Sequence, residues 1–285
     1  MSHSRDERRA ELVLALVALV SVSVLGLITV FVFKEGLPAF REMGLWQFIT
    51  GHRWSPSQNA FGIFPMLVGT FMVTLGALAI GMPLGLGCAV YMSEFSGPRS
   101  AALLKHMVEL MAGIPSVVFG FVGLTVIVPF IRTYLGGPGF SVLASSIVLG
   151  FMILPTMVSV SYDALRAVPQ TYRDNMLALG ATTWQTVRMV VLPSAKSGIL
   201  AAAILATGRA IGETMAVIMV AGNATAVPES VLDPVRTLTS NIALEMGYSA
   251  GLHRQALFAT GIVLFVIVTL LNLIARAAIR GGSAK

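Results

Sequence analysis

The sequence predicts an all-α, polytopic membrane protein with about six transmembrane helices. Apolar residues make up 56% of the chain and charged residues only 11%, whereas soluble domains average about 45–50% and about 25%. Apolar runs of twenty residues or more recur along the chain, and a helix of about that length crosses the hydrocarbon core of a bilayer. A soluble core would not require such runs. The composition therefore indicates a chain that lies in lipid.

Six segments are long and apolar enough to be spans. The first follows Arg5, Arg8 and Arg9, as the core of a signal peptide would, but its 22 residues exceed the roughly 7–15 residues of such a core. We therefore expect this segment to be retained. The predicted spans run approximately Leu12–Phe33, Phe64–Met92, Leu110–Ile131, Phe140–Val160, Gly198–Ala221 and Ala256–Ala275.

Prolines and glycines predict irregular geometry in and between the spans. The second span is overlong and contains Pro65 and Pro83, so we expect it to be tilted, to be kinked or to start in the interface. Gly113 and Pro115 lie near the start of the third span. A helix that is broken at this depth is tolerated only where protein or a water-filled cavity surrounds it. The glycine-rich residues 136–139 predict a tight hairpin between the third and fourth spans.

The basic residues predict that both termini lie in the cytoplasm. With the N-terminus inside, the inner segments hold twelve Lys and Arg residues and the outer loops hold six, and cytoplasmic loops normally carry the excess. The remaining basic residue, Arg209, lies inside the fifth span. The chain then divides into a cytoplasmic segment 1–11, one transmembrane domain 12–280 with an inner loop 161–197 and outer loops 34–63 and 222–255, and a cytoplasmic tail 281–285.

Two tryptophans lie in the first outer loop, at Trp46 and Trp54. Tryptophan is enriched at both interfaces between membrane and water. We therefore interpret them as interfacial anchors, in preference to docking residues for a partner outside the cell.

The inner loop predicts two short helices around a glycine. Pro169 suits the start of a helix, and Gly180 suits the left-handed position that ends one. A second helix is predicted over Trp184–Val191, stopped by Pro193. Such a loop lies on the membrane surface or fits a groove in another protein. From periodicity alone, a plain surface loop without a binding role is an equally supported interpretation.

The fifth span contains both a cation and an anion. Charges at the centre of a membrane cost at least about 2.5–3.5 kcal/mol each, so they usually face protein or water and carry function. Arg209 and Glu213 are four residues apart, so they are expected on one helix face and close enough to pair. Gly208 and Gly212 share this spacing, which predicts a face where another helix packs closely.

Three interpretations of this charged pair are open. A guanidinium matches two oxygens of an oxyanion such as phosphate, so Arg209 and Glu213 could line a substrate pathway. The two charges could instead form a buried ion pair that fixes helix packing. A proton relay through Glu213 would need a second acid at membrane depth, for which Glu109 is the candidate.

The inner loop resembles the EAA loop of ABC-importer permeases. The resemblance rests on residues 174–181, Asp-Asn-Met-Leu-Ala-Leu-Gly-Ala, followed by Trp184 and then Leu192-Pro193. The family's Glu-Ala-Ala is Asp-Asn-Met here, so the acid is shorter and both alanines are enlarged. In that family the loop forms coupling helices that insert into a cleft of the ATPase subunit. The resemblance implies that the residues coupling to an ATPase are Asp174, Ala178, Leu179, Gly180, Ala181 and Trp184.

The membrane segments resemble the phosphate-specific (Pst) permeases, and their PstC members in particular. The matching residues are 208–216 in the fifth span, 112–118 in the third span and 238–247 in the last outer loop. The resemblance implies a type I ABC-importer permease of MetI-like fold in a bacterial inner membrane. It also implies a PstA-like permease partner, a PstB-like ATPase dimer that binds ATP and Mg, and a PstS-like phosphate-binding protein. In that family the residues that match Arg209 and Glu213 are tied to phosphate passage.

Several other functions lack support in the sequence. No Gly-x4-Gly-Lys-Ser/Thr run occurs, so the chain is not expected to be the ATPase. No nucleophile–base arrangement can be argued from the sequence either, so we expect neither an enzyme nor a cofactor in this chain. The four histidines show no metal-ligand spacing. The basic residues lie between apolar spans rather than in one patch, so we expect no nucleic-acid partner. The alternative to an ATP-driven permease is a stand-alone ion- or proton-coupled secondary transporter or channel.

Overall fold

A computed structural model of the chain describes residues 3–282. Within these residues the fold is helical apart from one small hairpin. The strands are β1 (Trp54–Ser55) and β2 (Ala60–Phe61), paired antiparallel with Trp54 opposite Phe61. The helices are α1 (His3–Met43), α2 (Leu45–Thr50), α3 (Phe64–Val90), α4 (Pro98–Gly113), α5 (Ser116–Val122), α6 (Val128–Tyr134), α7 (Val142–Arg166), α8 (Gln170–Ala178), α9 (Thr183–Thr186), α10 (Leu192–Ser194), α11 (Lys196–Gly212), α12 (Met215–Val220), α13 (Leu238–Glu245) and α14 (Gly251–Gly282).

Five helical segments in the described part of the chain are long and apolar enough to cross a bilayer. They are Arg9–Met43, Phe64–Phe95, Ser116–Tyr134, Val142–Arg166 and Gly251–Ile274. A sixth is obtained if Thr183–Ser194 and Lys196–Gly212, which meet at an angle of 70°, are counted as one bent span. The prediction of an all-α fold with about six spans is confirmed, and the cytoplasmic location of the termini stays a prediction.

The third predicted span, Leu110–Ile131, is not one helix. Two extended residues, Ile114 and Pro115, separate α4 from α5. The helical conformation is disfavoured for the residue before a proline, so Pro115 ends α4 at this point. The span is formed instead by α5, the π-helical residues 123–127 and α6.

The hairpin predicted between the third and fourth spans is present between α6 and α7. Its three glycines, Gly136, Gly137 and Gly139, all have positive φ. Glycine adopts this left-handed region without a steric penalty. The chain can therefore reverse direction over a few residues.

The α3 and α7 helices pack at the centre of the bundle through glycines. A Cβ added to Gly81 would come within 2.6 Å of Ile153, and one added to Gly85 would come within 2.7 Å of Met157. Real side chains do not approach this closely, so the two backbones can pack only because these positions carry no side chain. Ile153 and Met157 are almost completely buried as a result.

The outer end of the bundle, which we define as the end formed by residues 44–63 and 222–250, is built around Glu245. Its carboxylate accepts hydrogen bonds from Trp54 Nε1 at 2.9 Å and Arg236 Nη1 at 2.6 Å. It also lies 2.8 Å from Nε2 of His253. These contacts join both outer loops to the start of α14.

The two tryptophans of the first outer loop have different surroundings. Trp54 is only 6% exposed, because its ring packs against Phe61 and its N–H is bonded to Glu245. Its interpretation as an interfacial anchor is therefore wrong. Trp46 is 77% exposed, and for this residue the anchor stays a prediction.

The Glu245 contacts predict that acid weakens the outer end. Burial of the Glu245 carboxyl raises its pKa, but the hydrogen bonds from Trp54, His253 and Arg236 and the charge of Arg236 outweigh burial, so the pKa lies below its ordinary value. Such a group stabilises the folded state above its unfolded pKa, about 4.3 for glutamate. That stabilisation is lost as the pH falls through the lower folded value. The protection factors of residues 237–250, which are hydrogen-exchange rates corrected for the pH dependence of intrinsic exchange, should therefore fall in this acidic range.

The matched variant for this prediction is Glu245→Gln. It should exchange faster than the wild type at neutral pH and should lack the acid-dependent step that the carboxylate causes. Equal exchange profiles for the two proteins across the whole pH range would contradict the role assigned to Glu245.

Candidate functional site

The fifth predicted span is interrupted near its outer part. α11 ends at Gly212 and α12 begins at Met215. Between them Glu213 is extended, with φ −70° and ψ 134°. The prediction of one continuous helix over Gly198–Ala221 is therefore wrong. We refer to residues 213–214 as the span-five break.

Polar contacts satisfy the backbone groups at the span-five break. The carbonyl oxygen of Glu213 accepts a hydrogen bond from Thr239 Oγ1 at 2.9 Å. The Glu213 carboxylate accepts one from the backbone N–H of Ala216, in the first turn of α12, at 3.3 Å. A carboxylate is favourable there because the first N–H groups of a helix lack helical partners. Irregular backbone at membrane depth needs such protein partners.

Arg209 lies in the last turn of α11 and does not pair with Glu213. Its Nη1 donates a hydrogen bond of 3.4 Å to Thr156 Oγ1 on α7. Among residues 3–282, no salt bridge joins Arg209 to a carboxylate. The expected contact between positions i and i+4 requires one helix, and Glu213 lies outside that helix. The half-buried guanidinium of Arg209 therefore retains N–H groups that could bind an anion.

Gly208 and Gly212 do not pack against another helix of the described chain. Apart from the adjacent residues and the backbone of their own helix, no described atom lies within 4 Å of a Cβ added to either residue. Gly208 instead lines a 260 Å³ cavity between α11 and α14. Close packing occurs on the other side of the break, where a Cβ added to Gly120 would come within 2.9 Å of Ala216. The helices α5 and α12, each of which follows an interruption of a helical span, thus pack against each other.

The inner loop forms the two helices that the sequence predicts. Gly180 has φ +85°, and its N–H donates to the carbonyl of Leu177 at 3.0 Å. The N–H of Ala181 donates to the carbonyl of Met176 at 3.1 Å. This pair of bonds is the Schellman arrangement that ends a helix at a glycine. The second helix is longer than predicted and covers Thr183–Ser194.

The predicted ATPase-coupling residues lie at and beside the turn between these helices. Leu179 is 83% exposed and Trp184 is 56% exposed. Asp174 is also exposed, and its carboxylate accepts a hydrogen bond from Gln170 Nε2 at 3.2 Å. Large exposed apolar side chains that lie together are typical of a surface that contacts another protein. The remaining predicted coupling residues are Ala178, Gly180 and Ala181.

Sequence reasoning missed the contact that fixes the inner loop to the membrane helices. Arg173 of α8 forms a bidentate salt bridge with Glu94, with Nε–Oε2 3.0 Å and Nη2–Oε1 2.8 Å. The same guanidinium donates to the carbonyls of Leu165 and Val168 at 2.8 and 2.7 Å. The hydrogen bonds to Glu94 raise the pKa of Arg173 further. The partners are 79 positions apart, so no local pattern in the sequence indicates the pair.

Comparison with known proteins shows that the sequence is similar to membrane transport components along most of its length. Residues 81–281 match the family described as binding-protein-dependent transport system inner membrane component. A probable ABC transporter permease protein of Bacillus subtilis, YqgH, is 40% identical over 95% of this chain and 90% of its own. The phosphate transport system permease protein PstC of Mesorhizobium japonicum is 34% identical over 91% of this chain and 85% of its own.

A solved structure shows that the likeness extends to the fold. A chain of a bacterial ABC transporter involved in the import of the acidic polysaccharide alginate matches with a TM-score of 0.60 and 17% identity, covering 91% of this chain and 95% of that one. The helical fold, the family match over most of the chain and the nearly full-length relatives agree. The chain belongs to the family of binding-protein-dependent transport system inner membrane components, the permease subunits of ABC importers.

Proposed function

We propose that the chain is the transmembrane permease subunit of an ATP-driven phosphate importer, in which it forms half of the translocation pathway. The observation that carries the proposal is the guanidinium of Arg209, half-buried beside the span-five break and without a carboxylate partner among the described residues. A guanidinium binds two oxygens of a phosphate at once. The name of the PstC relative supports phosphate as the transported oxyanion.

The geometry of the break would allow Arg209 to bind an anion and release it again. Since the Glu213 carboxylate accepts the Ala216 N–H, an incoming anion would not have to displace it from Arg209. The hydroxyl of Thr156 is beside the guanidinium and could contribute a further polar contact. The negative charge of Glu213 would limit the affinity, and a transport site must bind weakly enough to let its substrate leave.

We further propose that the exposed helices of the inner loop dock on a separate ATPase and transmit its movement. The salt bridge between Arg173 and Glu94 ties α8 to the π-helical residues 91–95, which continue α3 at its inner end. α3 in turn packs closely against α7, which carries the Thr156 partner of Arg209. A displacement of the loop would therefore reach the anion site through packed elements.

The remaining subunits are proposed from the family resemblance. They are a PstA-like permease that completes the pathway, a PstB-like ATPase dimer that binds ATP and Mg, and a PstS-like phosphate-binding protein that delivers substrate to the outer end. The assembly would lie in a bacterial inner membrane with both termini of this chain in the cytoplasm.

A proton-coupled secondary transporter has less support. Its relay would require Glu109 to act with Glu213. Glu109 lines a different cavity, between α4 and α7, together with Lys105 and Asp163. The Glu213 carboxylate accepts a hydrogen bond from the backbone N–H of Ala216 at the start of α12 instead.

The proposal predicts that Arg209→Gln abolishes phosphate uptake by the assembled importer in liposomes. Losing a charged hydrogen-bonding partner costs about 1.5–3 kcal/mol, so uptake should fall at least about tenfold. Arg209→Lys is the matched control, since it keeps the charge but cannot bind two oxygens in a fork. It should retain partial uptake with a raised KM. Radiolabelled phosphate and subunit recovery would be measured for each variant.

Uptake at the wild-type rate by an assembled Arg209→Gln complex would reject the anion-binding role. The same liposomes without the ATPase should show no uptake. Phosphate flux through this chain alone, driven by an ion gradient, would support the secondary transporter instead.

The coupling role predicts that Gly180→Val separates ATP hydrolysis from transport or prevents docking of the ATPase. A left-handed conformation costs a residue with a Cβ roughly 1–2 kcal/mol, and Gly180 has φ +85°. Gly180→Asn is the matched control because asparagine tolerates this conformation. ATPase recovery and the ratio of phosphate transported to ATP hydrolysed would be measured. Normal docking and coupling in Gly180→Val would count against the role of this turn.

A further inference from the structure

A polar cavity lies at the inner end of the bundle, which we define as the end that carries the inner loop. It has a volume of 290 Å³ and lies between the end of the second span, the last turn of α7, α8 and the start of helix Thr183–Ser194. Arg209 does not line it. The residues that decide its chemistry are Ser93, Glu94, Arg166, Arg173, Thr183 and Thr186.

The charges in this inner cavity do not balance. Arg173 and Glu94 neutralise each other in their salt bridge. Arg166 lines the same cavity, and within the part of the chain that the structure describes it makes no hydrogen bond or salt bridge. The side chains that line the cavity therefore carry one positive charge in excess, although Arg166 also attracts the Glu94 carboxylate and Asp174, outside the lining, attracts Arg173. The excess charge belongs to a guanidinium, the side chain that is best suited to phosphate oxygens.

The inner cavity also offers further hydrogen-bond donors. A guanidinium has five N–H groups, and Arg173 makes four hydrogen bonds through them, so one remains. Thr183 is the first residue of a helix that runs to Ser194, and its hydroxyl has no recorded partner among the described residues.

Acceptor groups beside these donors favour phosphate over an anion that carries no proton. The Glu94 carboxylate lines the cavity, and the Thr186 hydroxyl, which donates to the Thr182 carbonyl at 3.1 Å, keeps lone pairs. Hydrogen phosphate at neutral pH bears a hydroxyl that can donate to such groups. Sulfate is fully ionised, and it would meet the Glu94 carboxylate without a proton to share.

We propose that this inner cavity binds inorganic phosphate at the inner face and that phosphate bound there slows import. The regulatory part rests on the proposed function, because import is what would raise phosphate on this side. A phosphate held by Arg166 and Thr183 would join α7 to the inner loop. The bound phosphate would thus favour the arrangement in which the inner loop is fixed to the end of the second span by Arg173 and Glu94. A ligand that binds one of two alternating states shifts the population towards that state and slows the cycle.

Arg166→Gln in the complete importer tests the proposal. Liposomes containing the importer would be loaded with inorganic phosphate, and the initial uptake of external radiolabelled phosphate would be measured. Internal phosphate should slow the wild type. In Arg166→Gln, the internal phosphate concentration needed for the same inhibition should be at least about tenfold higher than in the wild type, because a charged hydrogen bond is lost. Uptake without internal phosphate should be unchanged in this variant.

Two controls separate the cavity from general charge effects. Arg99→Gln removes another exposed inner arginine, at the start of α4 and outside the cavity lining, and it should be inhibited like the wild type. Arg166→Lys keeps the charge and should be inhibited at intermediate concentrations. Internal sulfate should inhibit the wild type more weakly than phosphate does.

Direct binding provides a second measurement. Phosphate titrated calorimetrically into the nucleotide-free complex should show a site that Arg166→Gln weakens and Arg99→Gln leaves intact. Equal inhibition of all variants by internal phosphate, or loss of the ATPase subunit from Arg166→Gln, would overturn the proposal. Inhibition that follows the content of anionic lipid instead of internal phosphate would also overturn it. A wild type that takes up no phosphate would reject the proposed function itself.

Discussion

The interruption of span five determines what its charged residues can do. In an unbroken helix, the carboxylate of Glu213 would face the guanidinium of Arg209 one turn away and could neutralise it. The extended backbone at Glu213 removes that geometry. The carboxylate instead caps α12, and Thr239 satisfies the carbonyl that the break exposes. Arg209 is left with a single long hydrogen bond, in an environment where an uncompensated charge is costly. An anionic substrate would supply the missing partner, and this is why the break and the proposed function belong together.

The same charge chemistry connects the inner loop to the membrane helices. Glu94 lies at the end of the second span and receives two hydrogen bonds from Arg173, so α8 cannot move freely relative to that span. Arg173 also donates hydrogen bonds to the carbonyl of Leu165, in the last turn of α7, and to that of Val168, just after this helix. The neighbouring Arg166 adds a positive charge that no salt bridge among the described residues neutralises. If the inner loop transmits movement as proposed, it needs a stiff attachment. An anion bound to the unneutralised charge of Arg166 beside this attachment could then act on the movement. The proposed transport site and the proposed inner-face site would both use an arginine that has no salt bridge among the described residues, Arg209 within the bundle and Arg166 at its inner end.

The sequence predicted those features that depend on local patterns. Apolar length located the spans, the glycine run located the hairpin, and Gly180 located the end of α8, since each signal lies within a few residues of its effect. The break at Glu213 was missed because residues 198–221 read as one apolar run, and the groups that make a break tolerable come from elsewhere in the chain, notably Thr239. The contacts of Arg209 with Thr156 and of Arg173 with Glu94 were missed for the same reason, as they join residues 53 and 79 positions apart. Trp54 was misplaced because its partner, Glu245, is 191 positions away.

The central claim is that Arg209 and Glu213 act separately, one towards an anion and the other towards the helix that follows the break. The most direct measurement is phosphate uptake by the charge-exchanged protein, Arg209→Glu combined with Glu213→Arg, in the fully assembled importer. The account predicts that this protein assembles and transports no phosphate, because the exchange moves the guanidinium out of α11 and removes the cap of α12. Recovery of uptake in the exchanged protein, with each single variant inactive, would show that the two charges work as a pair and would contradict the account.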